Sequence, residues 1–128
     1  MPRPALRRIL LVEDDPDVRA VVALTLEELG GFTLAACGSA EEALAVAPRF
    51  RPDLLLLDVV LERLDGRAAL AALRALPETA RTPAVFLTGR LRPLELREHE
   101  RLGCLGVIAK PFDPGALPDR LQELWRRR

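Results

Sequence analysis

The sequence predicts an α/β fold in which five parallel strands form one sheet with helices on both faces. Short apolar runs alternate with segments of helical spacing five times along the chain, which is typical of a parallel sheet joined by right-handed crossovers. Residues 54–57 are consecutive leucines, and a run without a polar break indicates a strand buried on both faces. Asp58 follows directly, so the pattern predicts a carboxylate at the carboxyl end of a buried strand.

Length and composition fit one domain with a sizeable core. The chain has 128 residues, 49% hydrophobic and 30% charged, with a formal net charge of zero. We expect a single domain over residues 1–128, with a core from about residue 7 to residue 125. No apolar run approaches the roughly 20 residues of a membrane span, and the basic start lacks the apolar segment of a signal peptide, so we expect a cytoplasmic protein. Zero net charge gives no support to direct nucleic-acid binding.

The first β-α unit begins with a strand over residues 9–12, which ends in the acidic cluster Glu13, Asp14 and Asp15. Asp15 is predicted to cap a helix that opens at Pro16. Apolar residues at helical spacing predict the face that this helix turns to the core. They are Val18, Val21, Val22, Thr25 and Leu29.

The second strand is predicted over residues 32–37, and Ser39 with Glu42 predicts a capping box at the start of the next helix. We expect Pro48 and Pro52 to limit that helix. Its inward residues should be Ala40, Ala43, Leu44 and Ala47. Cys37 and Cys104 lack metal-ligand spacing and are expected to be reduced structural thiols.

The third strand covers residues 53–58 and is followed by a loop and a helix that Pro77 stops. That helix should bury Ala69, Leu70, Leu73 and Leu76. The fourth strand, residues 83–87, ends at Thr88-Gly89. The helix expected after it has an uneven apolar stripe and should be the least firmly packed. Its apolar residues are Leu91, Leu94, Leu96 and Leu102.

The fifth strand is predicted over residues 106–109 and ends at Lys110. A final helix then closes the chain. Its regular part should begin only near Pro118, because a helix capped earlier by Asp113 would need the N–H that proline lacks. Its apolar residues are Leu117, Leu121, Leu124 and Trp125.

Polar residues follow four of the five strands at the carboxyl end. They are Glu13 and Asp14, Asp58, Thr88, and Lys110. Because the carboxyl ends of parallel strands meet at one edge, and ligands of open α/β sheets bind at that edge, we expect these side chains to form a site.

Converging carboxylates need a cation nearby. A like-charge pair about 4 Å apart costs on the order of 4 kcal/mol at an effective dielectric of about 20. Lys110 is the only lysine among 19 cationic side chains, and a compact ammonium serves where a planar guanidinium would not. Oxygen ligands with open positions also suit Mg²⁺, whereas the spaced carboxylates of a calcium loop are missing. Such a site would let Asp58 attack phosphorus, with Thr88 donating to the transferred group, to give a phosphoaspartate.

Taken together, these residues resemble bacterial response-regulator receiver domains of two-component signalling, of the chemotaxis-regulator type. The resemblance covers about residues 7–125. The motifs that carry it are Glu13-Asp14, Asp58, Thr88-Gly89 and Lys110-Pro111-Phe112, each after its own strand. It implies a flavodoxin-like (βα)5 three-layer sandwich with strand order 2-1-3-4-5, and no output domain within the chain.

By this resemblance Asp58 is expected to be the phosphoacceptor. Asp14 is expected to bind Mg²⁺ directly and Glu13 to act through water. The backbone carbonyl of Val60 is expected as a further metal ligand, together with Asp58 itself.

The resemblance also implies that Lys110 contacts the phosphoryl group, that Thr88 is the switch hydroxyl and that the Lys110-Pro111 bond is cis. A histidine kinase or histidine phosphotransfer protein would supply the phosphoryl group, and an unknown downstream protein would receive the signal. We expect no enzyme activity beyond the chain's own phosphorylation and dephosphorylation, no membrane or direct nucleic-acid partner, and a monomer or weak dimer.

Three positions depart from the family pattern. Val107 stands where receivers usually carry a tyrosine or phenylalanine whose rotamer couples to the threonine, so we expect weakened switching, because a branched valine has no ring to swing. Glu62 replaces a common proline in the loop after Asp58. Val60 and Arg90 occupy positions that influence how water reaches the phosphoaspartate, and the apolar Val60 predicts slow self-hydrolysis.

Two alternative functions stay open. A degenerate receiver could act as a phosphorylation-independent docking module, which Val107 and Glu62 would favour. A phosphohydrolase of the haloacid-dehalogenase kind is the other, but it would carry a second aspartate where this chain has Val60.

Overall fold

The computed structural model describes residues 4–58, 66–88, 103–110 and 112–128. Its strands are β1 (Arg8–Val12), β2 (Thr33–Cys37), β3 (Leu54–Asp58), β4 (Ala84–Thr88) and β5 (Cys104–Ala109). The helices in these ranges are α1 (Pro16–Glu28), α2 (Ala40–Phe50), α3 (Gly66–Arg74) and α4 (Leu117–Arg127), with 3₁₀ turns at Pro77–Thr79 and Pro114–Ala116.

Several predictions concern residues outside these ranges. They are the helix after the fourth strand, with Leu91, Leu94, Leu96 and Leu102, the loop after Asp58 with Val60 and Glu62, Gly89 and Arg90, and the Pro111 peptide bond. The backbone of Thr88 is described, but its side chain lies outside what the structure describes.

All five strands pair in parallel in the order β2-β1-β3-β4-β5. The predicted flavodoxin-like order is therefore confirmed. The predicted strand bounds differ from the observed ones by one or two residues. The largest difference is in β5, which begins at Cys104 rather than at residue 106.

The sheet is buried on both faces, as residues 54–57 predicted. Leu54 and Leu56 belong to one apolar cluster and Leu55 and Leu57 to the cluster on the opposite face, and all are fully buried. Burial of each such side chain contributes about 1.5–3 kcal/mol relative to exposure. The alternation holds the end of β3, and with it Asp58, in one fixed position between two cores.

Helix α1 begins as predicted, but part of its predicted buried stripe is wrong. The Asp15 carboxylate accepts from the N–H groups of Asp17 and Val18 at 2.9 and 3.2 Å. The fully buried residues of α1 are Val22 and Leu26, whereas Val21 and Leu29 are 50% and 68% exposed. Val21 lies about 100° around the helix from Val22, and Leu29 is the C-cap residue, beyond the last turn.

Helix α2 differs from prediction at both ends. Ser39 Oγ accepts from Glu42 N–H at 3.1 Å, but the Glu42 carboxylate accepts from Gly38 N–H at 2.9 Å, so the second bond of the predicted capping box goes to the preceding residue. The helix also continues through Pro48 to Phe50.

The last turn of α2 is held by contacts from β1 rather than ended by its proline. Arg8 Nε donates to the Phe50 carbonyl at 2.8 Å, and the Arg8 guanidinium stacks 4.3 Å from the Phe50 ring centroid. Arg51 then ends the helix in the left-handed region with φ 52°. Of the predicted inward residues, Ala40, Ala43 and Ala47 are buried and Leu44 is half-buried.

Helices α3 and α4 agree closely with prediction. Ala69, Leu70 and Leu73 are buried and Leu76 is half-buried. Helix α3 ends before Pro77, which opens a 3₁₀ turn. Regular helix in α4 begins at Leu117, one residue before the predicted start.

The two ends of the described chain meet at the base of the sheet. Trp125 Nε1 donates to the Pro4 carbonyl at 2.8 Å, and the Arg128 guanidinium lies 3.6 Å from the Trp125 ring centroid. Within the four described ranges, no helix combines the length and apolar character needed to cross a bilayer. Neither Cys37 nor Cys104 forms a disulfide; burial raises the pKa of Cys37 to about 11, which leaves it an inert thiol at neutral pH.

Candidate functional site

Three strands bring the predicted acidic residues and the lysine to one edge of the sheet. Glu13 and Asp14 follow β1, Asp58 is the last residue of β3, and Lys110 follows β5. Val12 pairs with Leu57 across the first two of these strands. One carboxylate oxygen from each of Glu13, Asp14 and Asp58 lies within 4.8 Å of the other two. The predicted convergence therefore occurs in the structure.

Lys110 joins two of these carboxylates. Its Nζ donates to Asp58 Oδ2 at 2.8 Å and to Glu13 Oε1 at 3.2 Å. Glu13 is 1% exposed and Asp58 4%, so both ion pairs lie where solvent screens them weakly. The direct contact between Lys110 and Glu13 was not part of the sequence prediction.

The surroundings of Glu13 and Lys110 shift the pKa values of these two residues. Burial, together with the hydrogen bond and charge of Asp58, raises the pKa of Glu13 from 4.5 to about 8, although Lys110 opposes the change. Burial alone would lower the pKa of Lys110, but the hydrogen bond and charge of Asp58, helped by Glu13, outweigh it and raise that pKa. Lys110 therefore keeps its charge, while the site disfavours the charged form of Glu13 unless a second cation is present.

The cluster fits a divalent cation. Glu13 Oε2 is buried and has no hydrogen-bond partner among the described atoms, and such an atom is costly unless something binds it. The surrounding ligand atoms are all oxygen, which suits a hard ion such as Mg²⁺. Three carboxylates beside one ammonium also leave an excess of negative charge.

The remaining predicted residues are described less fully. Thr88 ends β4 at the same edge and its backbone pairs with Ala109. Val107 lies in β5 opposite Phe86, half-buried against the cluster that contains Phe86. Val60, Arg90 and Pro111 lie outside the described residues, so their predicted roles stay predictions.

One contact at the site has no counterpart in the sequence prediction. Arg19 Nη1, on α1, donates to the main-chain carbonyl of Glu13 at 3.0 Å. A usable signal is present in the sequence, because a cation in the first turn of a helix opposes the helix dipole and so calls for another reason to be there.

An apolar cleft opens beside Lys110. Its volume is about 540 Å³. Its lining is Asp17, Val18, Val21, Val22, Lys110, Phe112 and Pro114. Exposed Val21 and Leu24 extend the apolar surface along α1. Lys110 therefore lies next to an exposed apolar surface of the kind that often forms protein–protein contacts.

Comparison with known proteins gives consistent similarities. The model of the response regulator receiver domain matches residues 9–122. An uncharacterized 14.6 kDa protein of Leptolyngbya boryana is 36% identical over 106 residues, 83% of this chain and 80% of that protein. Response regulator Rre1 of Synechocystis is 33% identical over 119 residues, 93% of this chain and 52% of that protein.

Solved structures show the same similarity. The chemotaxis protein CheY4 of Vibrio cholerae superposes with a TM-score of 0.86 at 30% identity, covering 94% of this chain and 99% of that one. The chain spans about half the length of several curated relatives, Rre1 included.

Proposed function

Because this chain belongs to the response regulator receiver family of two-component signalling, we propose that it accepts a phosphoryl group on Asp58 and signals by that modification. The phosphoryl group comes from the histidine of a kinase or phosphotransfer protein. The chain then acts as a conformational switch or as a relay to a further protein. Its own phosphorylation and dephosphorylation are the only reactions that it catalyses.

The observation that carries this proposal is the Lys110 contact. An ammonium 2.8 Å from Asp58 Oδ2 is positioned to neutralise charge on a phosphoryl group that arrives at that carboxylate. It comes from the only lysine of the chain. A carboxylate that served only the fold would not need a cation from a strand two positions away in the sheet.

In the reaction, a carboxylate oxygen of Asp58 attacks phosphorus in line with the leaving imidazole. The P–N bond breaks as the P–O bond forms, and the imidazole keeps the electron pair and takes a proton from solvent. Lys110 remains charged, because its pKa is raised, and holds an oxygen of the transferred group. Thr88 donates its hydroxyl to another.

Glu13, Asp14 and Asp58, with the backbone carbonyl of Val60, would hold Mg²⁺. The ion when bound offsets the excess carboxylate charge and the charge on the phosphoryl oxygens. The buried Glu13 Oε2, which has no hydrogen-bond partner among residues 4–58, 66–88, 103–110 and 112–128, supports this assignment.

The partner docks at the apolar cleft beside Lys110, because a phosphohistidine must come close to Asp58. The exposed apolar residues of α1 support this placement. We further propose a cytoplasmic receiver that works as a monomer or weak dimer and contacts neither membrane nor nucleic acid directly, with residues 1–128 folded as one domain.

Two substitutions at family positions set the timing and strength of the signal. Val60 offers no hydrogen bond to orient water, so the phosphoaspartate should hydrolyse slowly, and Val60→Asn should hasten its loss; slower loss would contradict this. Val107 has no ring to reorient, so free and phosphorylated structures should differ little at β5 and α4. A large rearrangement there would show that switching does not need an aromatic residue.

The experiment that tests the function is magnesium-dependent phosphorylation. Purified protein is incubated with acetyl phosphate and Mg²⁺, and its intact mass is followed. We expect the gain of one phosphoryl group, no gain after EDTA is added, and no gain in Asp58→Asn. Asp119→Asn removes an exposed carboxylate of α4 and is the matched control that should phosphorylate normally.

A second function is favoured by Val107, because the residue that usually reports phosphorylation is replaced. A docking module that works without phosphorylation would show no mass gain under any of these conditions. That result would overturn the proposal, as would equal labelling of wild type and Asp58→Asn.

A further inference from the structure

Both main-chain polar groups of Glu13 are held by other elements. Its N–H donates to the carbonyl of Cys37, the last residue of β2, at 3.0 Å. Its carbonyl accepts from Arg19 Nη1 at 3.0 Å. Glu13 directly follows β1, and these two bonds join its main chain to the end of β2 and to α1. The peptide units on both sides of the Glu13 Cα are therefore each held by one hydrogen bond.

The absence of a side chain at Gly38 leaves room for the Arg19 guanidinium in this position. A Cβ on Gly38 would lie 2.6 Å from Arg19 Nη1, closer than real Cβ contacts allow. The backbone of Gly38 is in turn held by Glu42, whose carboxylate accepts its N–H at 2.9 Å. The Arg19 guanidinium therefore packs closely against the loop after β2 and the start of α2.

The location of Arg19 on α1 supports a specific task. It lies in the first turn, four residues after the cap Asp15, where a cation is unfavourable to the helix dipole. A residue that is unfavourable for its own helix is expected to make a favourable contact with another part of the structure. The compensation visible here is the bond to the carbonyl that precedes Asp14.

We propose that Arg19 is a positioning residue for the divalent-cation site: it holds the main chain of Glu13 so that the Glu13 and Asp14 carboxylates face Asp58. It does not touch the ion or the phosphoryl group. The inference rests on the proposed function, since the site it serves is the proposed magnesium site. Groups that orient metal ligands commonly account for 10–100-fold in metal affinity.

The test compares Arg19→Met, Arg19→Lys and Gly38→Ala with wild type. Arg49→Met is the control, because it removes an exposed arginine in the last turn of α2. Binding of Mg²⁺ to metal-free protein is measured by titration calorimetry. We expect affinity about 10-fold weaker in Arg19→Met and Gly38→Ala, a smaller loss in Arg19→Lys, which keeps one donor, and none in Arg49→Met.

Two further readouts separate positioning from general loss of structure. Amide hydrogen exchange at Glu13 should accelerate in Arg19→Met and Gly38→Ala without metal, while exchange in the core of β3 stays unchanged. Phosphorylation should need more Mg²⁺ for half its maximal rate but reach nearly the wild-type rate at saturation. Wild-type affinity in Arg19→Met, or an affinity loss matched by faster exchange throughout β3, would overturn the proposal.

Failure of the proposed function gives a different result. If the wild-type protein binds no Mg²⁺, the proposed metal site is wrong. The positioning role of Arg19 is then wrong as well, whatever the hydrogen-exchange rates show. If wild type binds Mg²⁺ and is phosphorylated while Arg19→Met does both equally well, only the inference about Arg19 is wrong.

Discussion

Asp53 directly precedes β3 and Asp58 is its last residue, and the two carboxylates have opposite surroundings. The Asp53 carboxylate accepts the N–H groups of Arg7 and Arg8 at 3.0 and 2.9 Å and ties the start of β3 to the start of β1. The Asp58 carboxylate is almost fully buried beside two other carboxylates and one ammonium. Main-chain N–H groups satisfy the Asp53 carboxylate, whereas three acidic groups share one ammonium around Asp58.

The difference shows what marks a functional carboxylate in this fold. Main-chain donors satisfy Asp53 at little electrostatic cost and need nothing from solution. In the cluster around Asp58, Glu13 Oε2 has no hydrogen-bond partner within the described part of the chain, and the neighbouring acids repel one another. A fold retains such an arrangement at the expense of stability, which is expected where a ligand completes it.

Removal of the ammonium should produce the largest effect. Lys110→Met leaves Asp58 and Glu13 without their cation, so we expect phosphorylation by acetyl phosphate to slow by about 100-fold. Lys110→Arg should recover only part of the rate, because the planar guanidinium cannot take the place of a compact ammonium. Arg49→Met is the control for loss of a positive charge, and a rate near wild type in Lys110→Met would contradict the comparison.

The next effect is a dependence of stability on pH without metal. The pKa of Glu13 is about 8 in the fold against 4.5 usually, so the folded state binds a proton that the unfolded state releases. The stabilisation is complete below pH 4.5 and is lost as pH rises towards 8. Urea unfolding in EDTA should show falling stability over this window, and Glu13→Gln should flatten it. A rise over the same window would reverse the assigned sign.

The two aspartates should respond oppositely to the same truncation. Asp53→Ala removes the acceptor of two main-chain donors and should cost about 1–2 kcal/mol of unfolding free energy. Asp58→Ala, in EDTA, should cost nothing or stabilise, because it relieves repulsion in the acidic cluster. Phosphorylation should survive only in Asp53→Ala. Equal destabilisation of both variants would remove the distinction between the two ends of β3.

Asp15 sharpens the comparison within a single acidic run. It follows Glu13 and Asp14 in sequence but caps α1. Asp15→Ala should therefore cost about 1 kcal/mol of stability and leave Mg²⁺ affinity and phosphorylation rate close to wild type. A loss of Mg²⁺ affinity in this variant would place Asp15 in the metal site instead.

Much of the fold was readable because its signals are local. The leucines of β3 specify a strand through burial, and Asp15 specifies the start of α1 through hydrogen bonds to N–H groups two and three residues ahead. Errors arose where tertiary contacts decide. Val21 is apolar yet exposed, because α1 has more apolar residues than the sheet can cover, and Pro48 lies inside α2 because contacts from Arg8 to Phe50 hold the last turn.

The site was predictable to the level of which strand ends meet. Parallel topology alone brings Asp14, Asp58 and Lys110 to one edge. Two features of the site depend on side-chain directions, which residue spacing does not specify. They are the contact of Lys110 with Glu13 and the lack of a hydrogen-bond partner for Glu13 Oε2 among the described residues. Arg19 donates to a main-chain carbonyl. Because every residue has such a carbonyl, the sequence does not indicate which one Arg19 contacts.

The docking of Trp125 on Pro4 determines what the protein's intrinsic fluorescence can report. Trp125 is the only tryptophan, and its neighbours across the adjoining cavity precede β3 and β4. A strand of five residues at about 3.3 Å each separates that base from the edge with Asp58. The fluorescence of Trp125 should therefore change when the two chain ends separate during unfolding. It should stay constant when Mg²⁺ is added to the folded protein.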